Sequence, residues 1–110
     1  MEENNKPIDF LILESQIVQV LRTVYDPEIP VDIYSLGMIY EVEVDENANA
    51  KVVMTLTTPN CPVAEILPAE VKEKISHIRG INEVDLQLTF EPPWTKDMMS
   101  DEAKLELGML

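Results

Sequence analysis

The sequence predicts a small α+β domain with the element order α-β-β-α-β-α and a small three-stranded mixed sheet covered by helices. Three observations predict it. Two stretches of alternating apolar and polar residues, around Tyr40–Asp45 and Lys51–Thr57, are joined by the turn-rich run Asp45-Glu46-Asn47-Ala48-Asn49-Ala50, as in a β-hairpin. A helical apolar period follows, and then a third alternating stretch over Val84–Glu91. A helical crossover of that kind returns the third strand parallel to the second.

Each element has its own warrant. Residues 1–9 read as a flexible tail, with Asp9 a candidate N-cap. Phe10, Leu13, Ile17, Leu21 and Val24 then fall on one helical face, and Pro27 ends the helix near Tyr25. Asp32 caps a single turn that Gly37 closes with a positive φ. In the hairpin, Tyr40, Val42 and Val44 oppose an acidic row, and Val52, Met54 and Leu56 form the core row of the second strand. The second helix shows Val63, Leu67, Val71, Ile75 and Ile78 in register; Pro68 either kinks it or divides it in two. Gly80 suits its C′ position. Pro92-Pro93 ends the third strand, and Thr95 or Ser100 caps a last short helix through Ala103 and Leu107.

The 110 residues make one domain, 1–110, large enough to bury a core. The formal net charge of −13 argues against nucleic acid and anionic membrane as partners, since both demand a basic patch. No apolar run approaches the length of a membrane span, and the acidic start lacks the pattern of a secretory signal, so a cytoplasmic location is expected. A single cysteine excludes an intramolecular disulfide and a Cys₄ metal site within one chain.

That cysteine lies in the most informative stretch, Met54-Thr55-Leu56-Thr57-Thr58-Pro59-Asn60-Cys61-Pro62. It begins as a strand, breaks at Thr58-Pro59 and re-enters as a helix, with Pro62 suited to the first turn. Cys61 therefore stands at the helix start, where the dipole and unpaired N–H groups favour a thiolate. Two readings follow: a reactive or ligating thiol, or a small buried hydrophobe filling the turn. The stiff loop Asp26-Pro27-Glu28-Ile29-Pro30 holds two carboxylates, which either present acids at fixed positions or cap backbone N–H groups. His77, near the end of the second helix with no ligand-spacing motif around it, reads as a solvated histidine.

Three ordered segments resemble one family, the SufT/PaaD-like metal–sulfur cluster assembly domain. They are Val24–Tyr40, Thr55–Pro62 and Phe90–Ser100, and together they span nearly all of the chain after residue 13. The resemblance implies a fold like iron–sulfur assembly scaffold domains and an accessory, non-enzymatic role in iron–sulfur protein maturation. It implies a functional Cys61 and a shared loop carrying Asp26 and Glu28. The additional C-terminal cysteines of PaaD-type members are missing, so the chain resembles the stand-alone SufT-like form.

On this reading the chain transiently binds an iron–sulfur cluster or iron and helps transfer it to apo-proteins. Cys61 is the candidate metal ligand, with Asp26, Glu28 and Thr57 around the site. One thiol per chain leaves ligands to come from a homodimer partner, a small thiol or the client. The alternative is a metal-free adaptor for assembly machinery or clients, with Trp94 and Met98 as its partner-binding anchor.

Overall fold

Two helices lie across one face of a three-stranded sheet, and the C-terminal segment folds back over the turn that precedes it. The computed structural model describes the backbone of residues 2–27, 29–57 and 61–108, and the side chains of residues 10–27, 29–57 and 66–108. The elements are α1 (Glu2–Leu21), β1 (Ile39–Val44), β2 (Ala50–Met54), α2 (Cys61–Ser76), β3 (Val84–Leu88), a single 3₁₀ turn (Lys96–Met98) and α3 (Asp101–Glu106). The strand order is β1-β2-β3, with β1 antiparallel and β3 parallel to β2. The expected order and mixed sheet are therefore present.

Alternation decides which sheet face is buried. Val44, Ala50, Val52 and Met54 are buried beneath α1 and α2, which pack on β1, on β3 and on each other. The opposite face carries Glu41, Glu43, Lys51, Val53, Asp85 and Gln87, with Lys51 Nζ 3.5 Å from Glu41 Oε2. From the helices, Ile17, Leu21, Leu67, Val71 and Ile75 complete the core. Among the described residues no helix is long and apolar enough to cross a membrane.

Several boundaries differ from expectation. α1 begins at Glu2, so residues 2–9 follow the helix and Asp9 lies inside it, and it ends at Leu21, before Tyr25, which forms a β-bridge with Asp32. Residues 2–9 carry no helical apolar period, and a helix continues past its apolar stripe through its own backbone bonds. β2 ends at Met54 and β3 at Leu88, each earlier than the alternation runs, because each strand's pairing stops where its partner's does. α2 is a single helix through Pro68. Proline there removes one backbone bond, while Leu67, Val71 and Ile75, all buried, anchor the helix beside it.

The hairpin turn is tied by Asp45, whose carboxylate accepts from the backbone N–H groups of Asn47 and Asn49, both at 2.9 Å. These bonds, that of Asn49 foremost, hold its carboxyl below the usual carboxylate range. Their support is present above the unfolded carboxyl pKa and is lost as pH falls through the lower folded one.

Trp94, half-buried, donates from Nε1 to the Leu36 carbonyl at 2.7 Å, and Ser100 N donates to the Ser35 carbonyl at 2.8 Å. The Ser100 hydroxyl caps α3 by accepting from Ala103 N at 3.1 Å, so Ser100 and not Thr95 starts that helix. This segment closes the sheet end near Tyr40, whose hydroxyl lies 2.7 Å from the Pro92 carbonyl oxygen.

Candidate functional site

The loop after α1 is closed by its own backbone. Tyr25 and Asp32 form an antiparallel bridge, and Ile33 N donates to the Val24 carbonyl at 2.8 Å. Asp32 then caps the next turn by accepting from Ser35 N at 2.9 Å, as its position before a single helical turn predicts. The two prolines, Pro27 and Pro30, restrict φ inside this closed loop and limit what it can do.

Asp26 sits within it, only 5% exposed. Its Oδ1 accepts from Ile29 N at 3.0 Å, which makes the turn. Its Oδ2 accepts from the Thr57 hydroxyl at 3.5 Å. That long bond joins the acidic loop to the chain leaving β2. Thr57 precedes Cys61 by four residues, so chain length alone keeps the two Cα atoms within about 14 Å. Asp26 and the chain that leads from β2 to Cys61 are thus joined directly.

Cys61 is the first residue of α2 and Pro62 the second, the placement the motif predicts. No carboxylate occupies the first turn, so nothing in that turn opposes the attraction of the helix end for a thiolate. The Cys61 side chain lies outside the described residues, and so does Glu28. Thr55 is fully buried, and its N–H donates to the Met38 carbonyl at 2.8 Å.

Trp94 and Met98 gather about the 35–40 turn. The Trp94 indole N–H points inward to Leu36, and the Met98 sulfur lies 3.6 Å from the Tyr40 hydroxyl. Each remains partly exposed. His77 is exposed with Nε2 3.8 Å from Glu73 Oε2, one helical turn away. Among the described residues no three His, Cys, Asp or Glu side chains converge on a point that would hold a metal ion.

Replacing Asp26 leaves Ile29 N–H and the Thr57 hydroxyl without their acceptor in a buried place. Asp26→Ala is expected to cost about 1–3 kcal/mol, and Asp26→Asn less, because the amide oxygen still accepts one bond. Urea denaturation of the two variants beside the wild type measures the difference.

Together these features define a class: a two-layer α+β domain with one cysteine at a helix start and a buried carboxylate bonded to the chain between β2 and that cysteine. The chain belongs to the iron–sulfur cluster assembly protein family, whose profile matches residues 14–104. It is 54% identical over 102 residues, 93% of this chain and 97% of the relative, to the Fe-S protein maturation auxiliary factor of Porphyromonas gingivalis. It is 42% identical over 86 residues, 78% of this chain and 98% of the relative, to the Fe-S protein maturation auxiliary factor SufT of Staphylococcus aureus. Among solved structures, the domain of unknown function DUF59 from Bacillus anthracis matches with a TM-score of 0.85 at 36% identity, over 94% of this chain and 99% of that one. The resemblance carried by the three sequence motifs is therefore correct.

Proposed function

We propose that this protein is an accessory factor in iron–sulfur protein maturation that holds iron or an iron–sulfur cluster briefly through Cys61 and passes it to apo-proteins. The accessory role follows from family membership and from relatives named for it. The observation that carries the finer reading is the Asp26–Thr57 bond, which ties the acidic loop to the chain that runs from β2 toward Cys61.

The donor chemistry fits such a cargo. A thiolate is the soft ligand that iron–sulfur clusters take. Both oxygens of buried Asp26 already accept hydrogen bonds, which supports a positioning role for it and leaves ligation to Cys61. One cysteine in 110 residues does not complete a cluster's coordination. A second copy, a small thiol or the client supplies the remaining ligands, and incomplete ligation by the carrier favours release. We assign the chain no catalytic turnover of its own.

Transfer tests the reading. An apo-ferredoxin given iron and sulfide under anaerobic conditions should regain its visible spectrum faster with the wild-type protein than with Cys61→Ser. Equal rates, together with retained binding of the acceptor, would point instead to a metal-free adaptor.

A further inference from the structure

The two edges of the sheet differ at one outward group. On β1, the outward N–H of Val44 is bonded by the Glu14 carboxylate of α1 at 3.2 Å. On β3, Ala50 N donates to the Glu83 carbonyl and Thr89 N to the Met54 carbonyl. Residues 83, 85, 87 and 89 therefore turn their backbone groups toward β2, and the amides and carbonyls of Val84, Leu86 and Leu88 face outward. No hydrogen bond among the described residues satisfies them. Unpaired strand edges are templates for another strand, and proteins usually blunt them.

The side chains beside this edge specify what it would accept. Val84, Leu86 and Leu88 share the face toward α2; Val84 and Leu86 are only half-buried, and Leu88 is 37% exposed. Phe90, just beyond, is 42% exposed. On the other face and at the two ends stand Asp85, Glu83 and Glu91, all exposed, with no Lys, Arg or His among the described residues paired to them. We propose that the free edge of β3 takes an extended segment of a partner protein as a fourth strand, with apolar residues on the helix side and basic residues on the other. Main-chain bonds give such pairing its affinity and alternate side chains its specificity. The net charge of −13 favours a basic strand over a second copy of this chain. Identifying that partner as an apo-protein client rests on the accessory role proposed above; the strand pairing does not.

The test uses the metal-free full chain and a short synthetic peptide alternating lysine and valine, beside the same peptide with glutamate for lysine. The lysine peptide should slow amide hydrogen exchange at Val84, Leu86 and Leu88, and the glutamate peptide should not. Leu88→Pro deletes an outward N–H that the sheet does not use, so the variant should fold and bind at least about fivefold more weakly. Asp85→Lys, exposed on the surface, should weaken binding about twofold to fivefold. Cys61→Ala should bind as the wild type does, so failure of the cluster reading and failure of this one are distinguishable. Undiminished binding to folded Leu88→Pro and to Asp85→Lys, or no protection at β3, would overturn the proposal. So would a peptide-free dimer that Leu88→Pro splits, because a second copy would then hold the edge.

Discussion

Gly37→Ala is expected to destabilise the domain by about 3 kcal/mol or more. Gly37 has φ +81°, a conformation that costs an L-residue roughly 1–2 kcal/mol. A Cβ there would overlap the Met98 carbonyl, lying 2.8 Å from its carbon. The obstacle is backbone, so no rotamer relieves it. The 94–100 segment must move away, and in moving it strains the Trp94–Leu36 and Ser100–Ser35 bonds, each worth about 0.5–1.5 kcal/mol net. Against a total of roughly 5–15 kcal/mol for a domain of ordinary stability, this is a large fraction. Chemical denaturation should show a lowered midpoint, and near-ultraviolet circular dichroism should report the change around Trp94. A midpoint equal to that of the wild type would mean that the close approach of these two segments does not hold in solution.

Leu67→Ala should cost about 2–5 kcal/mol, the range for deleting a buried leucine side chain. Leu67 is 3% exposed and lies on α2 one residue before Pro68, where a backbone bond is already missing. It secures the half of the helix that begins at Cys61, while Val71 and Ile75 secure the other half. The variant should therefore lose stability and also place Cys61 less firmly. Thermal unfolding reads the first effect; the rate of thiol modification at Cys61 in the folded variant reads the second. An unchanged modification rate alongside lowered stability would separate the packing of α2 from the positioning of the thiol.

Much of the fold was legible because its core is periodic. The Val52-Met54-Leu56 row and the Ile17-Leu21 face are buried where alternation and helical spacing put them, while Val24 is buried beyond the end of α1. The start of α2 at Cys61-Pro62 was legible too, since proline in a first turn has a local physical cause. What local pattern does not carry is a bond between distant side chains. Asp26 and Thr57 are 31 residues apart, and Trp94 and Leu36 are 58 apart. Nothing in either segment alone distinguishes a carboxylate that caps its own turn from one that also receives a threonine hydroxyl. Asp26 does both, so the capping expected of it is present together with a bond to a distant segment. The long start of α1 was invisible for a different reason: residues 2–9 carry no helical apolar period. Glu28 and the Cys61 side chain lie outside the described residues, so their expected roles stand as proposals.

The central claim is that Cys61 carries the cargo. The most direct measurement is anaerobic reconstitution with iron and sulfide, recording visible absorption and oligomeric mass for the wild type and for Cys61→Ala. A cluster chromophore should form on the wild type and be lost in the variant while the fold, read by circular dichroism, is kept. Its elution with a dimer would show ligands shared between two copies. A chromophore of equal intensity in folded Cys61→Ala, or none in either protein, would contradict the claim and leave the adaptor as the role of this domain.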